Sequence, residues 1–216
     1  SDLYNKNFNV KCNVITNAAD FVDLNPTNLN TEKIKIIHHG NASSSRKLEL
    51  MIEMMKNLDA RFELYLMLVA KRTNKIYLNK LKHMSKKYKN IHFLTPVPYN
   101  EIIKISNKFD IGLLFFPPSN LNLKYCLPNK FFEYIQSRLC IVSGPSVEIK
   151  KYIDNYKLGI TTNSFNPIEM AQKLNSLSNE EIMFYKNSSN QNAQLLSSKA
   201  NKQKILEIVE STLEKK

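Results

Sequence analysis

At 216 residues, with 43% hydrophobic and 23% charged positions, the chain has the make-up of a soluble globular protein and can bury a full core. It has no apolar run near the ~18–20 residues that cross a bilayer, and SDLYNKNFNV at its start has no signal-peptide core. Cys12, Cys126 and Cys140 are odd in number and unpatterned, which points away from a disulfide framework or metal knuckle and towards a reducing cytosol. The net charge is +12, and this excess needs a physical reason.

Residues 1–33 read as a linker leading into the fold. CNVITNAADFVDLNP carries one short β-run, then a polar, Asn-rich loop ending at Pro26. The first residue is Ser rather than Met, so the chain is expected to be cut from a longer protein. From residue 34 onward, short β-branched or aliphatic runs alternate with segments of helical period. The predicted strands are Ile34–Gly40, Phe62–Ala70, Ile91–Val97, Ile111–Phe116, Cys140–Gly144 and Leu158–Asn163. Helices are predicted at Ser45–Asn57, Asn74–Tyr88, Asn100–Phe109, Asn129–Arg138, Val147–Tyr156, Pro167–Ser176 and from Asn179 towards Lys216. Such alternation implies right-handed crossovers and a sheet covered on both faces. The fold class is therefore α/β: a Rossmann-like layered domain over residues 34–178, with a mainly parallel six-stranded sheet and helices on both sides. Residues 179–216 form a C-terminal helical segment. A ligand is expected at the carboxyl ends of the strands, where strand order reverses.

The charge concentrates in Lys71–Asn90, which holds eight Lys or Arg and no acid. Tyr77, Leu81, Met84 and Tyr88 fall at helical spacing, so the basic residues form the outer face of an amphipathic helix. That face is read as solvated, or as a contact for an anionic membrane surface or acidic glycan through residues 71–89. Nucleic acid is not expected, because no recognised binding module accompanies the charge.

Gly40 ends the first predicted strand, and the polar loop NASSS and Arg46 follow it. A glycine there lets backbone approach a ligand, while Arg46 at a helix start can pair bidentately with a diphosphate. LPNKFFEYIQSRLCIVSG, Leu127 to Gly144, reads as a helix opened by Pro128 with one acid, Glu133. The free amides of its first turn favour an anion, and Asn129 and Lys130 lie within that turn. His38 and His39 end the first strand; adjacent strand residues face opposite sides, so a shared metal or relay is not expected of them. No Cys/His/Asp group has metal-ligand spacing, and neither a G-x-G-x-x-G nor a G-x-S-x-G pattern occurs.

Leu127–Tyr134, together with Gly40–Glu49, resembles the donor site of retaining GT-B glycosyltransferases, family 4 and its relatives, which often carry an LPNK, aromatic or aliphatic, F-E-Y motif. The resemblance covers about residues 10–215 and implies the C-terminal, nucleotide-sugar-binding half of such an enzyme. It also implies that Asn17–Asp20 and Pro26 lead into this half, and that the last helix packs back towards an N-terminal acceptor domain preceding residue 1. By the same resemblance Arg46 and Lys130 carry catalysis by stabilising the departing diphosphate. Donor binding then falls to Gly40, Asn41, Arg46, Pro96, Val97, Leu127, Pro128, Asn129, Lys130 and Glu133. Glu133 would take the ribose, the backbone of Thr95–Val97 the nucleobase, and Asn120 and Asn122 the sugar. Two positions depart from the family pattern: Asn41 stands where a basic residue is usual, and Tyr125 where the first of two paired glutamates is usual. No cofactor or metal is implied. The expected partners are a nucleoside diphosphate sugar and a glycan or lipid-linked acceptor, in the cytoplasm or at the inner membrane face. A non-catalytic interaction or glycan-binding module is the alternative that Asn41 and Tyr125 favour, and a sugar-nucleotide epimerase is a weaker third.

Overall fold

The computed structural model describes residues 2–10, 12–30 and 32–213. In chain order its elements are α1 (Asp2–Phe8), β1 (Ile34–Asn41), α2 (Glu49–Met54), β2 (Phe62–Val69), α3 (Lys75–Ser85), β3 (Ile91–Phe93), α4 (Ile102–Ser106), β4 (Ile111–Leu114), α5 (Leu121–Tyr125), α6 (Asn129–Gln136), β5 (Cys140–Ser143), α7 (Val147–Tyr156), β6 (Gly159–Thr161), α8 (Pro167–Asn175), α9 (Asn179–Asn192) and α10 (Ser198–Leu213). The six strands form one sheet in the order β3-β2-β1-β4-β5-β6, and every pairing is parallel. Strand order reverses between β1 and β4, which places the ligand crevice above their carboxyl ends. No helix among the described residues is long and apolar enough to cross a membrane.

Both faces of the sheet are apolar, and the period-2 rule divides them. Ile34, Ile36, Leu64, Leu66, Leu113 and Val142 pack into one core with residues of α2, α3 and α8. Ile37, Met67, Leu114 and Ile141 pack into a second with α6 and α7. That two-sided burial explains why these strands read as nearly continuous apolar runs. In α6, Phe131, Phe132, Tyr134 and Ile135 are all buried. Tyr134 lies against bare backbone: a Cβ on Gly112 would sit 2.5 Å from its ring.

Several boundaries differ from the sequence reading, each for a local reason. β3 stops at Phe93 with one further ladder bond, Leu94 N–H to the Leu66 carbonyl; Pro96 and Pro98 then supply no N–H. The Ser45–Asn57 helix is broken, because Lys47 adopts φ +46° after a short 3-10 turn, Ser44–Arg46. Pro128 is the N-cap of α6, with ψ 149°, rather than a member of its first turn. No strand forms in the described part of the leading segment, where a β-run is expected. The C-terminal helix is two helices, α9 and α10, parted where Ala193 and Leu196 turn into the core; residues 214–216 of the expected helix lie outside the described residues. α1 and α5 have no counterpart in the sequence reading.

The leading segment is stitched to the domain. Arg138, itself at φ +59°, donates to the Val22 carbonyl at 2.7 Å, the Gln136 carbonyl at 2.7 Å and Asn190 Oδ1 at 2.7 Å. Lys186 donates to Thr27 Oγ1 and Asp110 Oδ1, each at 3.0 Å. Asp110 in turn accepts from the Lys35 amide at 2.9 Å. These bonds tie α9, the strand ends and residues 20–27 into one body.

Candidate functional site

The last residues of β1 and the first turn of α6 meet at the point of strand reversal. His38 and His39 are buried there. His38 Nδ1 lies 2.8 Å from the Leu113 carbonyl; a carbonyl only accepts, so Nδ1 carries the proton and Nε2 is left as an acceptor. Lys130 Nζ supplies the donor, 3.3 Å from His38 Nε2, and also donates to the His39 carbonyl. The two histidines point to opposite faces, as the strand requires. Even so, a long side chain arriving over the strand end contacts both residues, one through its ring and one through its backbone. His39 Nε2 is 3.4 Å from Glu133 Oε2 but makes no hydrogen bond. Burial and the nearby Lys130 push His39 down to about 3 and His38 well below its ordinary value, so both rings are neutral and the His39–Glu133 contact is not an ion pair.

Gly40 has φ +125°, and a Cβ built on it would lie 2.9 Å from Lys130 Nζ. The glycine is therefore needed twice: for its backbone conformation, and because the ammonium occupies the space of the missing side chain. Burial, then Arg46, lower Lys130 to about 7, partly opposed by Glu133. Burial pushes the Glu133 carboxyl up, against the pull of Lys130 and of a hydrogen bond from Tyr99. Both cations lie over one ring: Arg46 Cζ is 5.7 Å and Lys130 Nζ 5.8 Å from the Phe116 centroid. A desolvated cation beside a second cation is a site short of negative charge, and a bound anion would relieve it.

Of the residues singled out in the sequence, Gly40, Arg46, Lys130 and Glu133 converge here. Asn41 is exposed at the end of β1, paired with Val69. Asn129 is exposed, and its Oδ1 accepts from Asn17 Nδ2 at 2.8 Å, which ties α6 to the leading segment. Pro128 caps α6 beside it. Asn120 caps α5, accepting from the Leu123 amide at 2.9 Å, while Asn122 is exposed on that helix. Pro96 and Val97 part company: Val97 packs on the second core, and Pro96 lines a groove of about 520 Å³ with Leu68, Leu78 and Phe93. Leu127 lines another groove of about 520 Å³ with Val14, Tyr125 and Val147. Neither groove is lined by Lys130, Arg46 or Glu133.

Sequence reasoning missed His38, His39, Tyr99 and Phe116 as members of the site. The pair His-His-Gly at a strand end was the available signal, since two buried polar rings before a glycine need partners. Among the described residues no group of three His, Cys, Asp or Glu could hold a metal ion.

No protein-family model matches this sequence, and no curated protein matches it. Solved structures do match in shape. Anabaena Alr3699/HepE, solved in complex with UDP and glucose, has a TM-score of 0.67 at 13% identity over 83% of this chain and 49% of its own. A UDP-forming trehalose-phosphate synthase from Burkholderia xenovorans gives 0.61 at 13% identity, over 81% and 44%. The E. coli trehalose-6-phosphate protein bound with UDP-2-fluoro glucose gives 0.62 at 11% identity, over 82% and 44%. The chain thus spans about half the length of the structures it matches. At these identities the likeness shows the fold: this chain is built as a Rossmann-like domain of the GT-B architecture.

Proposed function

We propose that this chain is the donor-binding domain of a glycosyltransferase and holds a nucleoside diphosphate sugar at the carboxyl ends of β1 and β4. The observation that carries the reading is Lys130, a desolvated ammonium beside Arg46 at the point of strand reversal. Anabaena Alr3699/HepE was solved with UDP and the E. coli protein with UDP-2-fluoro glucose, so UDP is the nucleotide to test first. In this reading Arg46, Lys130 and the amides opening α6 take the diphosphate. Glu133 takes the ribose hydroxyls, and the backbone of Thr95–Val97 takes the base. Leaving-group departure places growing negative charge on the diphosphate, and two preorganised cations stabilise it more as the bond breaks. Transfer with retention to a glycan or lipid-linked acceptor, with the acceptor held by a further domain, completes the proposal.

Calorimetric titration with UDP and with uridine tests it. A charged hydrogen bond is worth about 1.5–3 kcal/mol, roughly ten- to a hundredfold in affinity. Glu133→Ala is expected to weaken both ligands, and Arg46→Ala only UDP. Absence of UDP binding by the unmodified chain at millimolar concentration would favour an interaction module instead, a reading supported by the uncharged, exposed Asn41.

A further inference from the structure

α3 connects β2 to β3 at the edge of the sheet, and its inner side is fixed: Leu81 is buried in the first core, with Tyr77, Leu78, Met84 and Tyr88 packed against it. Its outer side carries no packed element among the described residues, only side-chain contacts such as Lys82 over Phe93. All eight Lys or Arg of Lys71–Asn90 are exposed, and none is in ion-pair contact with a carboxylate among the described residues. Exposed lysines elsewhere do find one, as Lys150 finds Asp154 and Lys33 finds Glu63. The arrangement works against the helix itself. Lys75 opens it at the positive end of the dipole, and no acid stands in its first turn.

Two grooves flank this helix. One, of about 520 Å³, has Leu68, Leu78 and Phe93 in its lining, with Lys75 and Lys82. The other, of about 440 Å³, has Ile52, Met84 and Tyr88, with Lys56, Lys86 and Lys87 outnumbering one acid, Glu53. On the helix Ile76 is 83% exposed, the highest value of any large hydrophobic side chain among the described residues. An aliphatic side chain standing out of a lysine field, between apolar-lined grooves with basic side chains, matches the boundary between phosphate headgroups and acyl chains. A single-stranded nucleic acid would instead want exposed aromatic platforms, and Tyr77 and Tyr88 turn inward.

We infer that the α3 face docks on an anionic phospholipid bilayer, with its lysines at the headgroup phosphates and Ile76 entering the interface. The first groove also has Thr95 and Pro96 in its lining, which the donor proposal gives to the base, so the substitutions below fall at residues that do not line it, and the inference does not depend on that proposal. Sedimentation with vesicles tests it, comparing phosphatidylcholine alone with equal parts phosphatidylcholine and phosphatidylglycerol. The chain is expected to partition onto the anionic vesicles only, and to be released by salt. Each lysine near such a surface contributes about fivefold. Neutralising Lys80, Lys86, Lys87 and Lys89 together to Gln is therefore expected to lower partitioning at least a hundredfold, roughly. Ile76→Ser should lower it a further ~threefold or more. UDP titration of the same variants should be unchanged, which separates failure here from failure of the donor reading. No binding to anionic vesicles, equal binding to neutral ones, or full binding by the Gln variant would each overturn the inference. So would capture by a single-stranded polynucleotide in place of vesicles.

Discussion

Among the described residues two lysines are buried, and they are treated in opposite ways. Lys186 is fully enclosed, with Asp110 Oδ1 and Thr27 Oγ1 each at 3.0 Å and the Phe109 carbonyl at 3.3 Å. Its charge is neutralised and its donors are matched. Lys130 is buried with the His38 ring, the His39 carbonyl and a second cation for company, and it has no carboxylate in ion-pair contact among the described residues. A buried charge with a full set of partners holds a structure together, whereas one without a counter-ion is poised for something that is brought to it. The first serves the fold, and the second is the one on which the donor proposal rests.

Replacing each lysine by Met would test that division most strongly. Lys186→Met leaves the Asp110 carboxylate buried and unpaired, and is expected to cost about 3–5 kcal/mol in urea unfolding. Lys130→Met removes a desolvated charge but orphans two acceptors; these effects oppose, and the net change is expected to stay under ~2 kcal/mol. UDP affinity should respond in the reverse order. Equal destabilisation by the two substitutions would end the distinction.

Gly40→Ala comes next in size. The backbone at φ +125° disfavours any side chain, at about 1–3 kcal/mol, and the added methyl meets the Lys130 ammonium. A Gly40→Ala, Lys130→Met double variant keeps the first cost and sheds the second. The pair should therefore be less destabilised than the sum of the singles, by about 0.5 kcal/mol or more.

Acidity gives a third handle. Lys130 is lowered from its ordinary 10.5 to about 7, so between those values the unfolded chain carries its proton and the folded chain does not. The unfolded state binds more protons there, and this group makes stability rise with pH from about 7 to 10.5. Below about 7 both states are protonated and its contribution is flat. UDP, being anionic, should bind with proton uptake on the alkaline side of that value, measurable by calorimetry in buffers of different ionisation enthalpy. Lys130→Met is expected to flatten both profiles. The smallest effect is at Phe116, whose ring lies under both cations. Phe116→Leu should weaken UDP binding by about 0.5–1 kcal/mol, with little change for uridine.

The legible parts of this molecule were those written in local pattern. Alternation of aliphatic runs with helical periods located every strand, because both sheet faces are covered and the strands contain few polar residues. LPNK marked α6, and Gly40 marked the end of β1. Arg138 and the Lys186–Asp110 pair were not legible, since their partners are far away in sequence, 76 residues in the latter case. His38 and His39 were set aside by a correct rule about strand faces. That rule speaks of neighbours on the strand and is silent about a lysine that comes over its end. α5 escaped because a five-residue helix opened by one Asn cap has too few turns to show a period.

The hydrogen bond from His38 to Leu113 has a practical consequence. Because that bond fixes the proton on Nδ1, the only variable left to the ring is what its Nε2 receives, and here it faces the Lys130 Nζ. An anion that draws Lys130 away would leave Nε2 bare without changing the charge or tautomer of the ring. The imidazole nitrogen resonance of His38 is thus a built-in gauge of where one lysine is, readable by magnetic resonance without a label on the ligand.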